Sequence, residues 1–147
     1  MKGVRNILER TFFIIKPEGI KNTESIKKII HKNGLKILIS KKTILSPEII
    51  KLVYSDTEND LFEAHLEFMS KDVSEVGIIE GVNAITKLVE ISGKDVNPNS
   101  CASGTIRNLF GEKVGYKIGN ALYYKNGFHR SKTRYEAKKE VDLFGRI

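Results

Sequence analysis

The most restrictive feature of this sequence is an apolar run over residues 11–15, which Lys16 closes. After a threonine, two phenylalanines and two isoleucines follow one another without a polar break. β-Branched and aromatic residues in such a stretch predict a buried strand, which we place over residues 10–16. The run is far too short to cross a membrane. The fold therefore has to bury this strand with the elements that follow it.

Strand and helix patterns alternate along the rest of the chain. In order, they predict a helix from Asn22-Thr23 to Gly34, a half-buried strand over residues 35–43, a helix from Ser46-Pro47 to about Tyr54, a short helix over 61–69, a strand over 76–79, a helix over 83–91, a loop over 94–104, a strand over 121–128 and a helix to about Phe144. The helix ends rest on specific signals, among them Pro47 at a first helical position and a capping box from Thr133 to Glu136.

This order is the βαββαβ ferredoxin-like plan with extra helices. It is an α+β fold in which a four-stranded antiparallel sheet carries helices on its faces. We expect one domain over residues 10–147, because a chain of 147 residues is long enough for a single core. Residues 1–9 form an N-terminal extension and are the candidate flexible part of the chain.

The chain has a formal net charge of +7, from 25 Lys and Arg against 18 Asp and Glu. Such a balance suits nucleic acid, a phosphate-rich small ligand, or a lysine-rich surface without any partner. No dense basic run is interleaved with aromatic residues, which favours the last two over a nucleic-acid groove. The N-terminal residues lack the apolar core of a signal peptide, and Cys101 is the single cysteine. We therefore expect a cytoplasmic protein.

Five short motifs occur in a definite order. They are Lys16-Pro17-Glu18-Gly19 after the first strand, the turn Glu80-Gly81-x-Asn83-Ala84, the pair Asn97-Pro98, the run Gly104-Thr105-Ile106-Arg107, and Asn126-x-x-His129-x-Ser131 with Glu140 in the next helix. Each motif alone is weak. Together, in this order and spacing, they resemble the nucleoside diphosphate kinase family over about residues 10–144.

The resemblance implies an enzyme that passes the γ-phosphoryl group of a nucleoside triphosphate to a histidine and then to a nucleoside diphosphate, a ping-pong reaction through phosphohistidine. His129 is the implied nucleophile. A nucleophilic imidazole must be neutral, with its other nitrogen held by a partner, and Glu140 resembles the family's orienting carboxylate. Lys16 is the third implied catalytic residue. The plainer alternatives are a solvated Glu140 and a structural His129.

The same resemblance implies contacts to phosphate and sugar. Lys16 is expected to meet phosphate oxygens as a point charge and Arg107 as a bidentate fork. Asn126 resembles the residue that contacts a sugar hydroxyl, and Ser131 the hydroxyl beside the active histidine. The alternatives are surface cations for the first two, a turn residue for Asn126 and a helix cap for Ser131.

Three further residues are implied on the nucleoside side. Tyr54 matches a family tyrosine near the active histidine, and Phe62 and Leu66 match the positions that hold the base. Because Phe62 and Leu66 are apolar residues at helical spacing, core packing is the alternative for both. The other two histidines, His31 and His65, are expected on helix surfaces and receive no role.

Two phosphate contacts of the family are missing from this sequence. Val89 stands where the resemblance expects an arginine in the helix before the nucleotide loop. The loop after Gly93 has one extra residue, and the family's threonine is lost there. Lys94 and Arg130 are candidates to compensate, because each lies beside a motif.

The segment between Phe110 and Asn126 is longer than in the family, so the chain resembles a diverged member with an insertion before the active-site strand. The insertion is either a flap near the phosphates or an oligomer contact. The loop after Gly19 is shorter than usual, which bears on assembly.

We therefore expect a cytoplasmic nucleoside diphosphate kinase that forms a homo-oligomer, either a hexamer or a tetramer. Its partners are nucleoside tri- and diphosphates, with nucleic acid not favoured and no membrane. Mg²⁺ is expected to be carried on the nucleotide phosphates, because the sequence offers no carboxylate cluster. Two alternatives stay open: a weakly active or inactive member that binds nucleotide or nucleic acid, and a protein histidine phosphotransferase that uses the same histidine.

Overall fold

The computed structural model describes residues 6–147. The first five residues of the predicted N-terminal extension lie outside the described residues. The first strand begins at Leu8, two residues earlier than predicted, so the last two residues of that extension already belong to the sheet.

The described chain contains six strands and six α-helices. In order they are β1 (Leu8–Ile15), α1 (Thr23–Lys32), β2 (Lys36–Thr43), α2 (Pro47–Val53), α3 (Asn59–Met69), β3 (Ser74–Val82), α4 (Ala84–Ser92), α5 (Ile106–Phe110), β4 (Tyr116–Ile118), β5 (Ala121–Tyr123), β6 (Phe128–Arg130) and α6 (Arg134–Leu143). Short 3-10 turns cover Pro17–Asn22, Pro98–Ser100 and Phe144–Arg146. Within residues 6–147, every helix is too short or too polar to span a bilayer.

The main sheet has the strand order β2-β3-β1-β6, and every neighbouring pair is antiparallel. This arrangement confirms the predicted four-stranded antiparallel, ferredoxin-like fold. β1 lies between β3 and β6. Its register pairs Ile14 with His129 and Phe13 with Arg130. The central strand therefore determines where the residues of β6 stand.

Each face of β1 contributes to a separate core. Phe13 and Ile15 pack with residues of α1, α4 and α5 on one side of the sheet. Phe12 and Ile14 pack with residues of α2, α3 and α6 on the other side. Because a strand alternates its side chains between the two faces, a strand covered on both sides is apolar at every position. This explains the unbroken apolar run in the sequence.

The helix boundaries follow the predicted caps. Ser46 Oγ accepts a hydrogen bond from the Ile49 amide, and Thr133 Oγ1 accepts one from the Glu136 amide. The Glu136 carboxylate accepts from the Lys132 amide, one residue before the position that a standard capping box would use. The predicted loop over residues 94–104 is followed by the short helix α5, for which the sequence analysis gave no prediction.

The predicted strand over residues 121–128 is wrong. Its first part is β5, which pairs with β4 in a separate two-stranded hairpin, and its last residue begins β6 in the main sheet. The chain breaks between them because Gly127 has a positive φ of 85°, a conformation that ends a regular strand and that glycine adopts without strain.

The predicted alternation of β2 is also interrupted. A register shift between Ile37 and Ile39 turns the strand, so Ile39 is 50% exposed although its spacing predicted an inward side chain. A bulge of this kind adds one residue and moves the following side chains to the other face.

The two-sided burial of β1 predicts a large stability cost for truncating it. Phe13 is fully buried and stacks on Phe128 with ring centroids 5.8 Å apart. Phe13→Ala should lower the free energy of unfolding by about 3–5 kcal/mol. Leu8→Ala, on the same strand where Leu8 is 65% exposed, should change it by only about 0.5 kcal/mol or less. Urea denaturation of both variants measures the difference, and equal midpoints would contradict the two-sided burial.

Candidate active site

His129 lies in the middle of β6 and is held from one side. Its Nε2 is 2.8 Å from Glu140 Oε1, and Ser131 Oγ donates to the same carboxylate oxygen at 2.9 Å. Glu140 is only 1% exposed, and it reaches the histidine from α6. Ser131 therefore points at the carboxylate and does not cap α6, which Thr133 does.

Electrostatics determines the tautomer of this histidine. Burial tends to raise the pKa of Glu140, but the charge that His129 carries when protonated and the hydrogen bonds from His129 and Ser131 outweigh burial and hold the pKa below its usual value. An ionised carboxylate only accepts hydrogen bonds, so Nε2 of the neutral ring carries the proton. Nδ1 then keeps the lone pair, which is the arrangement that a nucleophilic imidazole needs.

The lysine motif is attached to the chain just before His129. The Lys16 amide donates to the Gly127 carbonyl at 2.9 Å, and the Gly127 amide donates to the Glu18 carboxylate at 2.9 Å. A Cβ at Gly19 would lie 2.6 Å from the Gly127 carbonyl oxygen. This close approach of the two backbones leaves no room for a side chain, which explains the glycine at the end of the Lys16–Gly19 motif.

Lys16 is buried, with 2% of its surface exposed, and its ammonium has polar partners. Nζ donates to Asn126 Oδ1 at 3.1 Å and to Tyr123 Oη at 3.4 Å. Burial lowers its pKa to about 8, with Arg107 and Arg130 acting in the same direction and Glu18 opposing them. Asn126 in turn donates from Nδ2 to the Val96 carbonyl, so it joins the lysine to the loop after α4.

Arg107 lies at the site, but its fork faces the protein. Nε and Nη2 both donate to the Phe128 carbonyl, and Nη1 donates to the carbonyls of Gly93 and Asp95. A guanidinium has five N–H donors, and these four bonds leave one of them. Burial lowers the pKa of Arg107. The bidentate phosphate contact expected for this residue therefore does not exist in this arrangement, because one backbone carbonyl already takes the fork.

Arg130 lies beside Arg107 with more of its donors available. It is buried, and it donates from Nε to Ser92 Oγ at 2.8 Å and from Nη2 to the Gly93 carbonyl at 2.9 Å. These two bonds leave three of its five N–H donors. Burial lowers its pKa to about 10, and the charge of Arg107 adds to that effect. The guanidinium thus sits at the C-terminal end of α4, one turn beyond Val89.

A cavity of about 290 Å³ joins these groups. Its walls include Lys16, Tyr54, Leu61, His65, Lys94, Arg107, Asn126, His129 and Arg130. The predicted base-holding residues Phe62 and Leu66 are not among its lining residues, and Leu66 packs against a core cluster instead. Leu61 and His65 are the α3 residues that line the cavity, and the base-holding role expected of Phe62 and Leu66 stays a prediction.

His65 is the residue that sequence analysis missed. It was expected on a helix surface, yet its ring stacks on Tyr54 with centroids 3.6 Å apart. The rings of Tyr54 and His129 make an edge contact with centroids 5.3 Å apart, so Tyr54 lies beside this histidine. The spacing from Leu61 through His65 to Met69 is i, i+4, i+8, which puts His65 on the apolar stripe of α3. That spacing was the available signal.

The side chains of this site are cationic rather than metal-binding. Over residues 6–147, no group of three or more His, Cys, Asp and Glu side chains is arranged to hold a metal ion. Asp56 and Glu136 are the carboxylates among the lining residues, and Glu136 already accepts the Lys132 amide. The arrangement can hold a polyanion against Lys16, Arg107 and Arg130, with a nucleophilic nitrogen beside them.

Comparison with known proteins identifies the group to which the chain is similar. A sequence profile described as nucleoside diphosphate kinase matches residues 9–146. A nucleoside diphosphate kinase from Chelativorans sp. (strain BNC1) is 33% identical over 137 residues, which cover 91% of either chain. The solved structure of the enzyme from Aquifex aeolicus has a TM-score of 0.77 at 26% identity, over 94% of this chain and 95% of that chain.

A second solved structure shares the fold. It is a transition-state mimic of the nucleoside diphosphate kinase from Borrelia burgdorferi with bound vanadate and ADP, with a TM-score of 0.80 at 21% identity. It covers 93% of this chain and 86% of that chain.

The buried position of His65 predicts that its ring stays neutral. Burial lowers its pKa to about 2, and the nearby charges of Lys16, His129 and Arg107 act in the same direction. In a histidine NMR titration, the ring shifts of His65 should therefore not change between about pH 5 and pH 9. A His65→Leu variant assigns the signal, and His31, which is exposed on α1, provides a surface reference. A His65 midpoint inside that range would contradict the burial.

Proposed function

The chain belongs to the nucleoside diphosphate kinase family, and we propose that it transfers the γ-phosphoryl group of a nucleoside triphosphate to His129 and from there to a nucleoside diphosphate. The observation that carries the proposal is the hydrogen bond between His129 Nε2 and Glu140, because it leaves the lone pair on Nδ1 of a ring that lines the same cavity as the three cations. Phosphoryl transfer depends mainly on positioning and charge neutralisation, which these groups supply.

In the first half-reaction, the lone pair of His129 Nδ1 forms a bond to the γ-phosphorus. The bond from that phosphorus to the bridging oxygen breaks, and its electron pair leaves with the nucleoside diphosphate. Since Nε2 keeps its proton, the phosphorylated ring carries positive charge, which the Glu140 carboxylate balances at 2.8 Å. In the second half-reaction, a terminal oxygen of the incoming diphosphate attacks the phosphorus, and the pair of the N–P bond returns to Nδ1.

Lys16 and Asn126 are proposed to contact the substrate together. The Lys16 ammonium has three donors, and two of them point to Asn126 and Tyr123. The third is available to a transferring oxygen. Asn126 is proposed to contact a sugar hydroxyl, and Ser131 to act through Glu140. Tyr54 is proposed to support the ring of His129 from the edge.

Arg107 and Arg130 are proposed to neutralise phosphate charge in different ways. Arg107 has one donor left after its four backbone bonds, so we assign it charge more than hydrogen bonding. Arg130 has three donors left, and we assign it the phosphate contact that the arginine expected at position 89 would make. Lys94, exposed at the mouth of the cavity, is proposed to assist it.

Mg²⁺ is proposed to enter as part of the substrate, carried on the nucleotide phosphates. Such an ion keeps several waters and is held by substrate phosphates with one or two carboxylates at most. Asp56 is the lining carboxylate that would face its water shell, because Glu136 already accepts the Lys132 amide before α6. The ion would neutralise phosphate charge, and the residues of the chain would orient the nucleotide.

We also propose that the protein is a cytoplasmic homo-oligomer, a hexamer or a tetramer. The outer edge of β2 supports assembly, since β2 is a terminal strand of the sheet. Ile39 on this strand and Ile44 just after it are both at least half exposed. Exposed strand edges with apolar side chains favour pairing with another chain. Light scattering after gel filtration measures the subunit number.

The proposed nucleophile predicts a covalent intermediate. After brief exposure to Mg-ATP, the wild-type protein should gain one acid-labile phosphate, which a nucleoside diphosphate then removes. His129→Ala should gain none, because it lacks the only proposed acceptor nitrogen. Intact-mass spectrometry without acid measures both, with His31→Ala as the matched histidine control.

The outcomes separate the alternatives. A phosphate adduct on His129→Ala would show that another residue is the nucleophile. If the phosphoryl group of the wild-type adduct passed only to a protein acceptor and not to a nucleoside diphosphate, the chain would be a protein histidine phosphotransferase. If the wild-type protein binds nucleotide but forms no adduct, the chain is a binding module. If that module bound nucleic acid, its affinity would fall steeply with salt.

The proposed role of Arg130 predicts a loss that an arginine on α4 can restore. Arg130→Met should lower kcat/KM by about 10–100-fold, because a charge-assisted hydrogen bond is worth roughly 1.5–3 kcal/mol. Adding Val89→Arg to that variant should recover part of the loss. Steady-state kinetics measures both, with thermal melts to confirm folding.

Arg134→Met is the matched control, since Arg134 is 74% exposed and lies 3.8 Å from Glu9 outside the cavity. Its kinetics should stay at the wild-type level. If Arg130→Met and Lys94→Ala both leave nucleotide affinity and turnover unchanged, neither residue compensates for Val89.

A further inference from the structure

The inserted segment between Phe110 and Asn126 folds back onto α3. Its hairpin, β4 with β5, turns at Gly119 and Asn120, and the Asn120 amide donates to the Asp60 carboxylate at 2.8 Å. The Phe68 ring on α3 packs against Tyr116 and Tyr123 of the hairpin, each with a centroid distance of 5.2 Å. The insertion is therefore a packed part of the domain.

This packing delivers one side chain into the active site. Tyr123 is only 3% exposed, and its hydroxyl lies 3.4 Å from Lys16 Nζ. The same ammonium lies 5.3 Å from the centroid of the Tyr123 ring, within the range of a cation–π contact. The ring edge also meets His65 at 5.0 Å. The hairpin thus contacts a catalytic cation through a residue that no family motif contains.

Lys16 depends on few partners. Asn126 and Tyr123 are the side chains of the described residues that hydrogen-bond to its ammonium. A buried ammonium on a flexible four-carbon stem needs acceptors to hold it in one place and to stabilise its charge. Burial raises the pKa of Tyr123, so its hydroxyl stays neutral and can accept from the lysine.

We propose that Tyr123 of the inserted hairpin is a positioning residue for the phosphoryl-transfer reaction, which holds the Lys16 ammonium between its own hydroxyl and Asn126. This inference rests on the proposed function, in which Lys16 meets the transferring oxygens. It gives the insertion a role inside the active site of its own chain, in place of the flap near the phosphates or the oligomer contact expected from the sequence.

The experiment removes the hydroxyl and keeps the ring. Tyr123→Phe should lower kcat/KM by about 3- to 10-fold, the loss expected for one modest hydrogen bond to a cation. The matched control is Tyr116→Phe, which removes a hydroxyl from the same hairpin, where that hydroxyl donates to Glu112 instead. Tyr116→Phe should keep the wild-type kinetics. Tyr123→Leu, which also removes the aromatic ring, should lower kcat/KM more than Tyr123→Phe does.

The pH profile separates positioning from a structural effect. Removing an acceptor disfavours the charged form of the Lys16 ammonium. The alkaline limb of the pH profile of kcat/KM should therefore move to lower pH in Tyr123→Phe. The charged groups that act on Lys16 are Glu18, Arg107 and Arg130, and none of them changes in this variant. A general loss of packing would lower the rate at every pH without moving the limb.

A direct titration makes the test independent of turnover. NMR of protein with carbon-13 at the lysine ε position follows the Lys16 ammonium, with Lys16→Met to assign it. A lower Lys16 midpoint in Tyr123→Phe than in wild type supports the proposal. Equal midpoints together with equal pH profiles overturn it. If the wild-type protein transfers no phosphoryl group, the proposed function fails, and the midpoints still decide whether Tyr123 holds Lys16.

Discussion

The antiparallel pairing of β6 with β1 is the interaction on which the whole site depends. β6 has three residues, and they alternate across the sheet: Phe128 enters one core, His129 faces Glu140 on α6, and Arg130 reaches back to the end of α4. A slip of one residue against β1 would exchange the faces of the histidine and the arginine. The apolar burial of β1 on both sides therefore protects the chemistry as well as the fold.

Much of this arrangement could be predicted from sequence because local signals agree with the fold. The apolar run of β1, the caps at Ser46 and Thr133 and the helical faces each describe an element that tertiary packing preserves. The pairing of His129 with Glu140 was implied by the family resemblance, and the two side chains lie 2.8 Å apart in the structure.

Some of the remaining features depend on contacts that no local pattern records. The direction of the Arg107 fork depends on where the Phe128 carbonyl lies, twenty-one residues away. The break between β5 and β6 follows from the left-handed turn at Gly127, and the pair Asn126-Gly127 is a local turn signal for it. The wrong expectation for His65 has a different cause. Histidine is a polar residue and is usually placed at the surface, but here its ring stacks on Tyr54 inside the protein.

The three buried cations show how the site is prepared for a polyanion. Lys16, Arg107 and Arg130 are each at most 5% exposed, and their hydrogen bonds go to carbonyls, hydroxyls and an amide rather than to carboxylates. Neutral acceptors satisfy the donors without neutralising the charge. Burial lowers all three pKa values, and repulsion from neighbouring arginines adds to this effect at Lys16 and Arg130. A phosphate chain removes that repulsion when it binds. The repulsion between these buried cations in the free protein therefore favours the binding of a polyanion.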